Sequence, residues 1–301
     1  MFEDIKTRPL SLSGLNGREL TAGQNAENPI LLLYGIHSSM ERMASMAEFL
    51  ADFGQVTLPD LPGIGGMSSF YKIGLVPTLE NYSDYLYAYL KSKRIDKPMV
   101  VVAMSFGFLV VTRMLQKYPD SRQWIRDVVS FVGFGRSKDF KVYSENKIML
   151  AMCLIFSTRF GGWLVKTFVF NPLSLRIMFG IFKLFNPKYK HAQQTNPEAS
   201  LKMELNLWQV NDARTRFAIY DILFHFDLTK TGRKLEVPLH DVTTPTDQYF
   251  DPQKVTTTLR KIYRHVDSSP ANMALHAPSI IGNKRDVAAI FSNDVKKILA
   301  G

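Results

Sequence analysis

The sequence predicts an α/β fold in which a mostly parallel sheet is covered by helices on both faces. Short aliphatic runs alternate along the chain with longer segments whose apolar residues repeat at helical spacing. Several of the strand-like runs are apolar throughout, which is typical of parallel strands buried on both sides. With 301 residues, the chain is long enough for one large domain or for a domain with an inserted unit.

The first half of the chain contains three strand–helix alternations. A buried strand is predicted in NPILLLYG, followed by a helix in SSMERMASMAEFLADFG with Ser38 and Glu41 as its capping box. A short strand and a Pro/Gly-rich loop are predicted in QVTLPDLPGIGG, and an amphipathic helix in TLENYSDYLYAYLKSKRI. A strand in PMVVVAM then leads to a helix in FGFLVVTRMLQKYP, which Pro119 ends.

The same alternation continues towards the C-terminus. Strands are predicted in DVVSFVGFG, in EVPLHDVTTP and, as a short last strand, in KIYRHV. Asp251 and Pro252 supply the N-cap and the first position of a helix. A closing helix in NKRDVAAIFSNDVKKIL begins at Asn283.

The net charge of +10 is concentrated in the middle of the chain. Residues 1–135 hold 13 basic and 13 acidic side chains, residues 235–301 hold 8 and 7, and residues 136–234 hold 16 and 7. No acidic residue occurs between Asn146 and Pro197. This shift predicts that 1–135 and 235–301 form one neutral unit into which 136–234 is inserted.

Cysteine use and the absence of targeting segments favour a cytoplasmic protein. The single cysteine, Cys153, excludes an internal disulfide framework and fits a reducing compartment. The segment MFEDIKTRPLSLSG lacks the apolar run of a signal peptide, and the longest apolar run, IMLAMCLIF, is too short to span a bilayer. No His/Cys cluster has metal-ligand spacing and GIGG lacks the spacing of a dinucleotide or phosphate loop, so neither metal nor cofactor is expected.

One hydroxyl interrupts the apolar run VVVAMSFGFLVV. Ser105 stands where the predicted strand turns into the predicted helix, and Ala103 and Gly107 are small enough for a tight turn there. Such a turn lifts the hydroxyl to the carboxyl edge of the sheet, beside a helix N-terminus that favours a developing anion. The alternative is that Ser105 merely caps the helix.

These residues resemble the nucleophile elbow of the α/β-hydrolase superfamily, G-x-S-x-G, written here A-M-S-F-G. The loop VTTPTDQYFDP resembles the loop after the family's seventh strand, which carries the acid, and LHAPSI resembles its histidine loop. The segment from Asp60 to Gly65 is similar to the family's D-x-P-G-x-G turn. The resemblance covers almost the whole chain apart from the basic middle.

The resemblance implies a Ser-His-Asp triad. Ser105 would be the nucleophile, His276 the base that takes and returns its proton, and Asp247 the acid that orients the imidazole. Asp251 is the alternative acid, less favoured because it has the position of an N-cap. His240 and His265 are predicted to be structural, and His191 and His225 to lie away from a nucleophile. His37 adjoins the loop that follows the third strand and could contact substrate.

The resemblance also implies an oxyanion hole made by the backbone N–H groups of Ile36 and Phe106. In this loop the chain has Tyr34-Gly35 where the family usually has His-Gly. Candidates for contact with the substrate in the adjoining pocket are Tyr34, His37 and Met104.

The superfamily commonly inserts a helical cap at the position of residues 136–234. Here that segment is apolar, aromatic and basic. One interpretation is a cap whose apolar face covers the pocket; another is an interfacial surface that contacts anionic membrane. Both predict an apolar substrate, whereas nucleic acid is disfavoured because the basic residues lie among large aliphatic ones.

The sequence therefore predicts a serine hydrolase that cleaves a carboxylic ester with an apolar acyl group, through an acyl-enzyme and without a cofactor. The serine at the elbow disfavours haloalkane dehalogenases and epoxide hydrolases, which use aspartate there. Carbon–carbon bond hydrolases, peptidases and acyltransferases share the triad and stay open. So does a small-molecule binding protein that keeps the pocket but turns over slowly or not at all.

Overall fold

A computed structural model describes residues 5–24, 27–141, 147–185, 197–244, 247, 249–271 and 283–301. Eight strands form one sheet in the order β1-β2-β4-β3-β5-β6-β7-β8. The strands are β1 Lys6–Leu12, β2 Leu15–Ala22, β3 Pro29–Leu33, β4 Gln55–Pro59, β5 Met99–Met104, β6 Ile125–Phe131, β7 Leu239–Thr243 and β8 Val266–Pro270. Strands β3 to β8 are parallel to one another, which confirms the predicted mostly parallel α/β sheet.

An N-terminal hairpin that the sequence analysis did not predict extends one end of the sheet. Strand β1 pairs antiparallel with β2, and β2 pairs antiparallel with β4. Ser13 and Gly14 form the turn, both with positive φ (52° and 80°). A Ser-Gly pair is a recognised turn signal, and two positive φ values suit the right-handed twist of a two-residue hairpin.

Within the described residues, six helices accompany the core strands and five lie between β6 and β7. The core helices are α1 Met40–Leu50, α2 Leu79–Ser92, α3 Phe106–Lys117, α9 Pro252–Ile262, α10 Lys284–Ala288 and α11 Asn293–Ala300. The others are α4 Lys147–Phe156, α5 Arg159–Leu164, α6 Pro172–Phe185, α7 Pro197–Val210 and α8 Ala213–His225. Helix α1 packs against α10, and α2 packs against α3.

Three local predictions need correction. Helix α1 begins one residue later than predicted: Ser39, not Ser38, is its N-cap and accepts a hydrogen bond from the N–H of Arg42. The last strand begins only at Val266, the end of the KIYRHV segment, because α9 runs on to Ile262 and residues 263–265 connect the helix to the strand. The closing helix is two helices, since Ser292 caps a new helix after the first has ended. The predicted caps at Asp251 and Asn283 are confirmed.

The apolar residues of the sheet form one large core, and the helices between β6 and β7 have a smaller core of their own. The second core contains Cys153, Val165, Phe170, Leu175, Ala213 and Phe217. Helix α4 packs against α8 and α5.

No single described helix is long and apolar enough to cross a membrane. The helices Lys147–Phe156 and Arg159–Val169 together are long and apolar enough for a membrane span, but the chain bends by 92° between them.

Candidate active site

Four loops that carry the predicted site residues follow parallel strands. Ile36 follows β3, Ser105 follows β5 and Asp247 follows β7. Because β3, β5, β6, β7 and β8 are parallel, their carboxyl ends meet at one edge of the sheet, where ligands of open α/β sheets bind. His276 belongs to the segment that follows β8 and lies outside the described residues.

Hydrogen bonds join the carboxyl ends of four neighbouring strands. The N–H of Ser105 donates to the carbonyl of Phe131 at the end of β6, at 3.0 Å. The N–H of Val132 donates to Val242 on β7 at 3.1 Å, and the N–H of Ala271 donates to Thr243 at 2.7 Å. These bonds fix the backbone around Ser105 with respect to the loops that leave β6, β7 and β8.

The backbone of Ser105 has the conformation expected of a sharp strand-to-helix turn. Its φ of 47° and ψ of −114° lie in a region that side-chain-bearing residues rarely occupy, at a cost of about 1–3 kcal/mol. Its side chain makes no capping hydrogen bond to α3, and the residue is partly exposed. The structure therefore contradicts the capping alternative, and the nucleophile role of Ser105 stays a prediction.

Two glycines allow the backbone to close tightly around the turn. A Cβ atom at Gly107 would lie 2.8 Å from the carbonyl oxygen of Tyr34, so only glycine lets α3 approach β3 this closely. A Cβ atom at Gly35 would lie 3.3 Å from the Cβ of Ser105 and 3.7 Å from its Oγ. The oxyanion loop therefore runs directly beside the serine side chain.

Both predicted oxyanion donors lie at the edge of this turn. Phe106 is the first residue of α3, so its N–H has no acceptor within the helix. Within the described residues, neither this N–H nor that of Ile36 donates to another backbone or side-chain group. Two free N–H groups beside a serine hydroxyl are what a tetrahedral oxyanion requires.

The two candidate acids differ in burial. Asp247 is buried, and its Oδ1 accepts hydrogen bonds from the N–H groups of Tyr249 (2.7 Å) and Phe250 (3.0 Å). Lys141 donates to the Asp247 carbonyl at 2.7 Å. Asp251 is less buried and caps α9 through the N–H groups two and three residues on. Asp247 is thus buried and hydrogen-bonded, whereas Asp251 serves as a helix cap.

Tyr34 lies in the core and not on an open pocket wall. Its hydroxyl donates to Asp60 Oδ1 at 2.9 Å and accepts from the N–H of Leu61 at 3.1 Å. Burial raises the pKa of Asp60 to about 6, although Arg18 and Tyr34 favour its charged form. The prediction that Tyr34 contacts substrate is therefore wrong: its side chain is fully buried and connects β3 to the loop after β4. Met104, the last residue of β5, is also buried.

His37 connects the oxyanion loop with α7. Its Nε2 lies 2.7 Å from Glu204 Oε2, and Arg42 lies 3.5 Å from the other carboxylate oxygen. Burial lowers the pKa of His37 to about 4, so the ring is neutral at pH 7. Burial alone would raise the pKa of Glu204, but the bond to His37 and the charge of Arg42 hold it below its usual value. A neutral ring beside a carboxylate must donate from Nε2, which leaves Nδ1 as an acceptor.

A buried arginine completes this polar cluster. The guanidinium of Arg216 lies 3.8 Å from the ring centroid of Trp208, and the His37 ring lies 5.1 Å from the same centroid. In the described part of the chain, Arg216 Nη2 and His37 Nδ1 are buried without a hydrogen-bond partner. One donor and one acceptor are therefore left open beside Trp208. No sequence motif predicts this cluster, because His37 and Glu204 are 167 residues apart and meet only in the folded chain.

The other described histidines have structural surroundings. His240 Nε2 lies 3.2 Å from Asp127, and His225 Nδ1 lies 3.0 Å from the carbonyl of Asp221 at the end of α8. His265 is exposed just before β8, and His191 lies outside the described residues. Among the residues that the structure describes, no group of three or more His, Cys, Asp or Glu side chains could hold a metal ion.

The chain matches no family model and no curated protein, whereas many solved structures share its fold. An enol-lactonase from Burkholderia xenovorans LB400 aligns over 98% of this chain and 100% of its own, with a TM-score of 0.69 and 14% identity. A haloalkane dehalogenase from Agrobacterium tumefaciens C58 aligns over 99% and 97%, with a TM-score of 0.67 and 15% identity. A membrane phospholipase A aligns over 99% and 86%, with a TM-score of 0.67 and 13% identity.

These proteins differ in the reactions their names describe but share one architecture, the α/β-hydrolase fold. The present chain has this fold, with the sheet order and the strand–turn–helix at Ser105 described above. At 13–15% identity the likeness defines the fold and leaves the reaction to the residues of the site.

Proposed function

We propose that the protein is a serine hydrolase that cleaves carboxylic esters with an apolar acyl group. The observation that carries the proposal is the conformation of Ser105: its backbone is strained, its hydroxyl does not cap α3, and the oxyanion loop runs beside its side chain. Strained residues of this kind persist where the surrounding structure enforces them, and they cluster at active sites.

The proposed mechanism has two half-reactions. His276 removes the proton of Ser105 while Oγ forms a bond to the ester carbonyl carbon, and the N–H groups of Ile36 and Phe106 stabilise the oxyanion. The bond to the alkoxy oxygen then breaks, and His276 returns the proton to the departing alcohol. Water, activated by the same histidine, releases the acid from the acyl-enzyme. Asp247 orients and charge-compensates the imidazole, and no cofactor takes part.

The side chains around the site favour a substrate with an apolar acyl group. Helix α7 of the segment 136–234 reaches the oxyanion loop through Glu204 and Trp208, and the Trp208 ring lies 4.2 Å from that of Phe170 in the second core. The open donor of Arg216 and the open acceptor of His37 add a small polar element to these apolar surroundings. A substrate with an apolar acyl chain and a polar alcohol would match both.

Fluorophosphonate labelling of the purified chain tests the nucleophile, followed by turnover of p-nitrophenyl esters from acetate to palmitate. We expect labelling of the wild type and its loss in Ser105→Ala, with kcat reduced by about 10⁴-fold or more. Ser13→Ala is the matched control, since Ser13 also has positive φ but lies in the β1–β2 turn. It should keep labelling and turnover.

Three outcomes decide between the hypotheses. Steady turnover that depends on chain length supports the esterase and measures the acyl pocket. Labelling at Ser105 without ester turnover would contradict ester specificity and direct the search to amide, carbon–carbon or acyl-transfer substrates. A folded wild type that is not labelled would overturn the triad and favour a binding protein.

A further inference from the structure

Helices α4, α5 and α6, together with the π-helical segment Val165–Val169 that continues α5, expose an unusual number of large apolar side chains on their outer faces. Phe160 is 68% exposed and Trp163 is 55% exposed, although aromatic residues of this size are normally mostly buried. We call the following residues the outer apolar surface: Ile148, Met152, Leu154, Ile155, Phe160, Trp163, Phe168, Val169, Leu173, Ile177 and Ile181. Apart from these, the exposed large hydrophobic residues of the described chain are Leu75 and Val76.

Members of this surface lie side by side. The Trp163 ring lies 6.0 Å from Phe160 and 6.2 Å from Phe168, centroid to centroid. On α6, Leu173, Ile177 and Ile181 follow one another at four-residue spacing and so form one stripe along the helix.

The exposed residues are not a poorly packed core. The opposite faces of the same helices are buried, with Cys153 of α4 and Leu175 of α6 both in the second core. Each helix thus has one face packed inside the protein and a second apolar face that meets solvent. Large apolar side chains that are exposed together, as Phe160, Trp163 and Phe168 are, are typical of an interaction surface.

The charges around the surface have one sign. Lys147, Arg159, Lys166 and Arg176 are exposed on the same helices, and residues 147–185 contain no acidic residue. Within the described residues, none of these four cations forms an ion pair, whereas several basic residues of the core do: Arg18, Lys93, Arg113, Lys117 and Arg126. A partner that covers this surface must supply both apolar and anionic groups.

We propose that the outer apolar surface docks on an anionic phospholipid bilayer. The aromatic rings would enter the boundary between headgroups and acyl chains, where Trp and Phe anchor interfacial helices, and the four cations would meet lipid phosphates. A second copy of the chain fits less well, since it would place two positive surfaces face to face. The 92° bend between α4 and the following helix suits helices that lie on a bilayer rather than cross it.

This docking is independent of the proposed esterase chemistry, because no residue of the outer apolar surface belongs to the site at Ser105. For the same reason the two proposals can fail separately. Ser105→Ala should bind vesicles as the wild type does, even though it loses labelling.

Flotation with phosphatidylcholine vesicles, with and without about one third phosphatidylglycerol, tests the proposal. We expect binding that requires the anionic lipid and weakens at about 0.5 M salt, where screening is nearly complete. Brominated acyl chains should quench the tryptophan emission of the wild type, and this quenching should be lost in Trp163→Phe, which keeps an aromatic ring at the surface.

Two matched pairs of variants separate the apolar and ionic contributions. Phe160→Ser with Phe168→Ser should lower the partition coefficient about tenfold or more, whereas Leu75→Ser with Val76→Ser, also exposed, should not change it.

Lys147→Gln with Lys166→Gln should lower binding to anionic vesicles about 25-fold at low salt, at about fivefold per charge. The control pair Lys91→Gln and Lys254→Gln removes two exposed charges elsewhere on the chain. Equal losses in both pairs, or no vesicle binding by a folded wild type, would overturn the proposal. A concentration-dependent dimer that shields Trp163 from acrylamide, without vesicle binding, would assign the surface to a second copy instead.

Discussion

Strand β5 and helix α4 have a similarly apolar composition but differ in how much of their surface is buried. The strand is MVVVAM and the helix is KIMLAMCLIF, both almost entirely apolar. All six residues of β5 are buried, whereas Cys153 is the buried residue of α4 and Ile148, Leu154 and Ile155 are exposed.

The difference follows from the number of faces that neighbours cover. Strand β5 lies between β3 and β6 in the middle of the sheet, so strands flank it on both sides and core side chains cover both its faces. Within the described residues, helix α4 packs against α8 and α5, and Cys153 is its buried residue. Burial contributes about 25 cal/mol per Å² of apolar area to stability, so the outer face of α4 contributes almost nothing until a partner covers it. Apolar composition alone therefore does not distinguish a core element from an interaction surface.

A charge placed in each region gives the largest expected contrast. Val101→Asp puts a carboxylate into the fully buried centre of β5 and should lower the free energy of unfolding by more than about 4 kcal/mol, or prevent folding. Ile155→Asp, at a residue that is 56% exposed, should change it by less than about 0.5 kcal/mol. Urea unfolding measures both, and similar losses would mean that the outer face of α4 is covered in the isolated protein.

A buried acid in the sheet core should produce a pH effect that the exposed region lacks. Burial raises the pKa of Asp241 on β7 to about 7, and the hydrogen bond from Ser130 at 3.1 Å only partly opposes this. The folded state therefore keeps a proton between about pH 4 and 7 that the unfolded chain has lost. The free energy of unfolding falls by about 1.4 kcal/mol per pH unit as the pH rises through this window.

Thermal unfolding from pH 5 to pH 8 checks this effect. Asp241→Asn removes the titrating group, so the variant should gain stability relative to the wild type as the pH increases. Asp96→Asn, at an exposed loop position, is the control and should keep the wild-type pH dependence. An unchanged slope in Asp241→Asn would contradict the raised pKa.

The smallest expected effect concerns strain that the packed core imposes on the site. Ser105→Gly should raise the free energy of unfolding by about 1 kcal/mol, because glycine accepts the positive φ without steric cost, and it should abolish labelling. Ser13→Gly should bring a similar gain in the exposed β1–β2 turn and leave labelling intact. A loss of stability in Ser105→Gly would show that the serine side chain stabilises the turn.

Much of the fold was predictable because local sequence and tertiary position agree. The runs in β3, β5 and β6, the small residues around Ser105 and the caps at Asp251 and Asn283 each favour the structure that they adopt. The hairpin β1–β2 was missed because its first strand is mostly exposed and carries little apolar periodicity. The last strand was misplaced because the helix before it runs on to Ile262.

The sequence by itself determined the central parallel strands, the serine at the turn and the order of the loops that carry the predicted triad, since these depend on short segments and chain order. Tertiary structure decided which apolar residues are covered, that Tyr34 bonds to Asp60, and that His37 meets Glu204 and Trp208. Such contacts join residues far apart in the chain. Their formation depends on how the packed elements are arranged in three dimensions, which no local pattern specifies.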